Sequence, residues 1–228
     1  MDLRTEGGPM VRPQFISIFY VNTTAVNKLI PEQKEGKKVD LSHVRAFESR
    51  EYAVACFKRA YERLMAPRVW HQLSGAMSAE FFLIDETGVE PHRPVLKDDY
   101  LKINIPGPGT IAGKGYDWVF IEQIEDKANP EAKEESIGMK LKPCGDPGNK
   151  DMTTAHFFTE EASSTFIISR NGNTVSSCYY GRNEVPNVHT ESITDNIRNT
   201  VVGSGAWASF SEMQWHSLIK GFLEEESV

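Results

Sequence analysis

Alternation of apolar and polar residues is the clearest pattern along the chain. In Tyr100–Ile105 the apolar Leu101, Ile103 and Ile105 alternate with Tyr100, Lys102 and Asn104, the period of two that gives a strand one apolar face. The run that follows the next turn, Tyr116–Ile124, is apolar on both sides. Val119 and Ile121 are expected on one face, and Trp118, Phe120 and Ile124 on the other, as in a strand covered from above and below. Ser164–Gly181 holds two β-rich runs around Asn171-Gly172, a strong signal for a two-residue hairpin. With those two residues as the loop, Arg170 faces Asn173, Ile168 faces Val175 and Ser164 faces Tyr179. One side then carries Phe166, Ile168, Val175 and Tyr179 and is the expected core side; the other carries Ile167, Cys178 and Tyr180 among serines and threonines. Phe15–Val21, Met77–Ile84 and the short Ile137–Leu141 also read as strands.

The period changes to three and four between Ser49 and Ala66. Ala53, Phe57, Ala60, Tyr61 and Leu64 form one apolar stripe, Ser49 can cap the start and Pro67 stops the end, which predicts a helix packed on a core. Two further helices are predicted near the C-terminus. Ser192 with Asp195 opens one, with Ile193, Ile197 and Val201 as its stripe and Gly203 at its end. Ser211 with Gln214 opens the other, with Trp215, Leu218, Ile219 and Phe222 on its buried side. The order helix, strands, helices favours a segregated α+β fold: an antiparallel sheet of about five to seven strands, flat or curled into an open barrel, packed by the N-terminal-half helix and the C-terminal helices. Residues 1–40, with Gly7-Gly8-Pro9 and the polar stretch Pro31–Lys38, read as a tail or arm, and 41–228 as a single α+β domain.

Composition narrows the function classes. A net charge of −7 with both signs interleaved lacks the concentrated basic face that nucleic acid requires. No apolar run approaches the ~20 residues of a membrane span, and Phe15–Val21 is short for a signal peptide. Three widely spaced cysteines, Cys56, Cys144 and Cys178, suit a reducing compartment, so a cytoplasmic location is expected.

Candidate chemistry is sparse, and no motif requires a particular reaction. The Gly/Pro loop 105–115 resembles a phosphate cradle with Lys114 as its cation. It lacks a following helix, however, and Pro108 has no N–H to offer. The bland alternative is a wide, semi-rigid hairpin loop. The polar run Gly181–Asn187 ends a strand: Arg182 could grip a carboxylate or phosphate, Glu184 could act as a base, and Asn183 lies between them. The alternative is that Arg182 and Glu184 simply pair. His156 and Glu160, four apart, would share a face in a helix but not in a strand. Asp98-Asp99 could bind a hard cation or be a solvated turn, and Cys144 in its loop could be a reactive thiol. No metal or cofactor is implied, and whether the chain is an enzyme is left open. Three readings stand. The first is a protein-interaction module, docking or self-associating through loop and arm. The second is a small-molecule-binding or hydrolase-like protein with a pocket in a curled sheet, where Arg182, Glu184 or His156 converge on a cavity of roughly a few hundred Å³. The third is an assembly subunit.

Overall fold

The computed structural model describes residues 26–75, 78–105, 114–149, 154–187 and 206–225, the side chains of 206–211 excepted. Seven strands form one antiparallel sheet. They are β1 (Lys37–Ala46), β2 (Glu80–Ile84), β3 (Tyr100–Asn104), β4 (Asp117–Lys127), β5 (Glu134–Pro143), β6 (Ser163–Asn171) and β7 (Thr174–Glu184). Their order is β1-β7-β6-β5-β4-β3-β2, so the sheet ends in two edges and does not close into a barrel. Among the described residues three α-helices complete the α+β fold: α1 (Arg50–Leu64), the short α2 (Trp70–Ser74) and α3 (Ala206–Leu223).

The helices cover one face of the sheet. Ser49 caps α1, its hydroxyl accepting from the Tyr52 N–H, and the stripe Ala53, Cys56, Phe57, Ala60 and Leu64 is buried. Opposite it lie Phe81, Leu83, Leu101, Val119, Ile121, Ile137, Met139, Phe166, Ile168 and Tyr179 from β2 to β7. Trp70 sits at the centre, its ring 5.2 Å from those of both Phe81 and Phe166 and 6.0 Å from Phe222 of α3. Its indole N–H donates to the Arg63 carbonyl at 2.9 Å, so the largest core side chain is satisfied at its one polar atom. From α3, Leu218, Ile219 and Phe222 are buried and Trp215 packs against the core. At the hairpin end of β6, Arg170 and Glu135 form a fully buried ion pair (2.6 Å), with further guanidinium bonds to the carbonyls of Ala132 and Gly172.

Four sequence expectations need correction. Ile124 lies on the core side with Val119 and Ile121, because an irregularity between Ile121 and Gln123 inserts a residue and resets the alternation. The β6–β7 loop is Gly172-Asn173, with Asn171 paired to Thr174, Ile168 to Ser177 and Phe166 to Tyr179. This register is two residues from the expected one. A shift of two preserves the faces, so the expected core side is unchanged. α3 begins at Ala206, placing Ser211 inside the helix rather than at its start. β1, a ten-residue strand paired along β7, begins at Lys37, inside the stretch Pro31–Lys38 read as polar.

The other face of the sheet carries a second, smaller core. Residues Val26–Leu29 form a turn of 3-10 helix, and Val26, Leu29 and Ile167 bury one another with Ile30 and Tyr180 alongside. Gly138 of β5 makes the room: a Cβ there would overlap Leu29 Cδ1 and come within 2.5 Å of Val26 Cγ1. The following residues cross to the end of β7, where Asn183 ties them down. Its side-chain oxygen accepts from the Lys34 N–H (2.7 Å) and the Glu35 N–H (3.3 Å), and its amide donates to the Glu32 carbonyl (3.1 Å). The segment 26–36 is thus a strap over the sheet. Phe15–Val21 and the helix expected around Ile193 lie outside the described residues, as does most of the Gly/Pro loop.

Candidate functional site

The site is assembled where β7 ends. Tyr179 and Gly181 lie on the core side of this strand. Asn183 then adopts a left-handed backbone, φ 55°, an uncommon conformation for any residue with a side chain. It breaks the alternation, and the Glu184 side chain folds back over Gly181. A Cβ at residue 181 would overlap Glu184 Oε1 and lie 3.0 Å from its Cδ. Only glycine leaves space for the carboxyl there. The Tyr179 O–H donates to Glu184 Oε1 at 3.3 Å, and the same phenol oxygen lies 3.0 Å from Ser164 Oγ of β6.

This arrangement changes the acidity of both groups. Burial pushes the Glu184 carboxyl from 4.5 up to about 7. Lys37, the Tyr179 hydrogen bond and Arg182 pull it back down, while Glu212 of α3 adds to the rise. Lys37 is itself ion-paired with Glu212, which blunts both. The Tyr179 phenol is held well above its ordinary range, by burial first and by the neighbouring Glu184 carboxylate second. Near neutrality the pair is therefore a neutral phenol beside a carboxyl that exchanges its proton easily, the combination that acid–base and proton-linked sites use.

In front of this pair runs a cleft between the sheet and α3. Its enclosed part is about 40 Å³, and about 450 Å³ when the space open to solvent at its mouth is counted. Phe81, Ile103, Ile105, Phe157, Phe158 and Trp215 supply apolar wall; Ser164, Tyr179, His156 and Gln214 supply the polar atoms. The Trp215 ring stacks on Tyr179 at 5.2 Å and 18°, continuing the aromatic cluster of the core to the cleft. Gln214 Oε1 accepts from the Ala79 N–H (3.2 Å), joining α3 to the start of β2. The remaining wall is held by backbone bonds: Phe158 bridges Pro186, and the Asn187 N–H donates to the Phe157 carbonyl at 2.8 Å.

Of the residues singled out in the sequence, His156 lines the cleft and Glu184 reaches it only through Tyr179, to which it is hydrogen-bonded. His156 is in neither a helix nor a strand. Its ring stacks on Phe157 (4.3 Å), its Nδ1 accepts from the Phe158 N–H (3.0 Å), and Glu160 is exposed on a turn. Arg182 points to the opposite side of the sheet, bonded to Asp40 at 2.6 Å and to the carbonyls of Val39 and Gly181, so it does not pair with Glu184. Asn183 holds the strap. Lys114 reaches Asp146 at 3.3 Å, away from the cleft. Asp99 is buried and gripped by both terminal nitrogens of Arg93 (2.6 and 2.8 Å), a structural pair. Cys144 is not reactive by disposition: burial pushes its thiol up to about 12. Among the described residues there is no group of three or more side chains able to hold a metal ion, and no helix long and apolar enough to cross a membrane. Sequence reasoning missed Tyr179 and Ser164 as site residues. The available signal was Gly181, a glycine inside a strand, which marks a close approach.

No protein-family model and no curated protein matches the chain. Among solved structures it is similar to protein Ms6760 of Mycobacterium smegmatis (13% identity over 87% of this chain and 99% of that one, TM-score 0.40). It is also similar to truncated norcoclaurine synthase from Thalictrum flavum (10% identity, 86% and 100%, TM-score 0.36). A third is the di-domain ARO/CYC BexL from the BE-7585A biosynthetic pathway (12% identity over 83% of this chain, TM-score 0.38), of which the chain spans about half, 51%. At TM-scores of 0.40 and below, nothing about function follows from these likenesses.

Proposed function

We propose that the chain is a soluble, cytoplasmic small-molecule-binding protein that seats a compact, largely aromatic ligand in the cleft between α3 and the sheet. One observation carries this reading: in the cleft aromatic surface opens to solvent beside the buried Tyr179 phenol, which is hydrogen-bonded to Glu184 beyond the lining. Ligand sites combine apolar walls with a few placed polar groups in this way. The backbone strain at Asn183 and the space left by Gly181 support it, since both serve to aim Glu184 at Tyr179. The enclosed part holds only a water or two, so a ring-sized ligand occupies the mouth and gains depth as the half-buried Trp215 turns aside. Three free cysteines agree with a reducing compartment.

The test is a protein-observed NMR titration with single-ring aromatics such as toluene and indole, repeated on an Ile103→Trp variant that fills the cleft. Binding that shifts the amides of Phe157, Phe158 and Trp215, and is lost in the filled variant, is the expected result. Binding unchanged by the filling, or none by the wild type at millimolar ligand, would overturn it.

A second reading, self-association or a protein partner, is favoured by one feature. The strand β2, an edge of the sheet among the described residues, leads into a connection whose Val89 and Leu96 are more than half exposed. Sedimentation at rising concentration tests its self-association half: a monomer at ~100 µM, a concentration at which an interface of standard size would already associate, would remove self-association.

A further inference from the structure

We propose that the cleft selects ligands presenting a hydrogen-bond-accepting oxygen, such as an aryl ketone or aldehyde, and that Glu184 takes up a proton as they bind. This rests on the small-molecule reading above and names the ligand chemistry.

Tyr179 has a single O–H on the cleft wall. Two oxygens compete for it, Glu184 Oε1 at 3.3 Å and Ser164 Oγ at 3.0 Å. The charged groups that act on Glu184 are Lys37 of β1, Glu212 of α3 and, from the opposite side of the sheet, Arg182 of β7. Lys37 is ion-paired with Glu212 and Arg182 with Asp40. Among the described residues the Tyr179 phenol is the hydrogen-bond donor to the Glu184 side chain. An ionised Glu184 therefore holds the phenol proton, leaving only a phenol oxygen toward the cleft. A protonated Glu184 instead donates its own O–H to that oxygen. The phenol hydrogen is then free to rotate, to Ser164 in the empty cleft or to a ligand oxygen in the filled one. A ligand carbonyl seated against the phenol oxygen of the ionised form meets an acceptor there instead of a donor, a large penalty for a desolvated polar group. A ligand ammonium has the opposite preference. Burial keeps the Glu184 carboxyl near neutrality, so the exchange falls within an accessible pH range.

The experiment is an NMR titration of the full chain with acetophenone, toluene and benzylamine at pH 5.5 and 8.5, on the wild type and on Glu184→Gln and Tyr179→Phe. Acetophenone is expected to bind about 30-fold more weakly at pH 8.5, the value for one-proton linkage centred near pH 7, and toluene equally at both. Glu184→Gln, whose amide donates to the phenol at every pH, is expected to hold acetophenone at pH 8.5 as the wild type does at 5.5. Tyr179→Phe is expected to erase the preference for acetophenone over toluene. Two results would overturn the proposal while leaving the binding reading intact: acetophenone as insensitive to pH as toluene, or benzylamine preferred and tightening as pH rises. Failure of all three probes to bind overturns both.

Discussion

Glu184→Gln tests the electrostatics of the site without any ligand. The substitution keeps the size of the side chain and its hydrogen bond to Tyr179, and removes only the charge. In the wild type the carboxyl rises from 4.5 in the unfolded chain to about 7 in the fold. Below the lower value it is protonated in both states and its charge costs nothing. Between the two the folded protein keeps a proton that the unfolded chain has lost, so stability falls as pH rises; above about 7 it levels off. At about 1.4 kcal/mol per pH unit the whole effect is about 3 kcal/mol, of which about 2.5 falls between pH 5 and 8. That is a large part of the ~5–15 kcal/mol that holds a domain together. The assay is urea unfolding of both proteins at pH 5, 6, 7 and 8, reading the difference at each pH so that every other titrating group cancels. The variant is expected to gain on the wild type steadily through this range. A difference constant to within ~0.5 kcal/mol would show that Glu184 is solvated, and with it the buried Tyr179–Glu184 pair would fall.

Other consequences follow from particular contacts. Gly181→Ala places a methyl on the Glu184 carboxyl; a loss of about 1–3 kcal/mol in chemical unfolding is expected, as for other overpacked sites, together with loss of the pH dependence just described. Gly138→Val collides with Val26 and Leu29 and is expected to lift the strap, seen as faster hydrogen exchange at the Lys34 and Glu35 amides while those of β6 stay protected. Glu135→Ala strands the buried Arg170 guanidinium and should cost about 3–5 kcal/mol, whereas the double variant Glu135→Leu with Arg170→Met recovers most of it. Cys144, its thiol held up at about 12, is expected to resist iodoacetamide at pH 8 until urea unfolds the chain.

Much of the architecture could be read from periodicity because burial is periodic. The stripe of α1, the core side of β6 and β7, and the buried side of α3 are each set by residues whose spacing matches the element. A two-residue slip left the hairpin faces intact, since a strand repeats every two residues. Interruptions were not legible. The extra residue near Glu122 in β4 moved Ile124 to the other face, and nothing in Phe120–Ile124 announces it. β1 does not stand out in the sequence because its core-facing positions run Val39, Leu41, His43 and Arg45, apolar at one end only. His43 and Arg45 lie near the end of α3, where Arg45 bonds the Leu223 carbonyl at 2.7 Å. The site was half visible. Glu184 stands out as a polar residue at a strand end and His156 by its four-residue spacing from Glu160, but Tyr179 reads as one more core aromatic. What makes it a site residue is the reversal at Asn183, a backbone conformation that side-chain patterns do not encode.

The most direct measurement is a crystal structure of the protein soaked with acetophenone at acid pH. The expected result is the ring lodged between Phe81 and Trp215, with its carbonyl oxygen about 2.7 Å from the Tyr179 hydroxyl and Glu184 turned toward the same phenol. A cleft without ligand density at saturating acetophenone, or a ring bound elsewhere with the Tyr179–Glu184 pair undisturbed, would contradict the assignment of this cleft as the binding site.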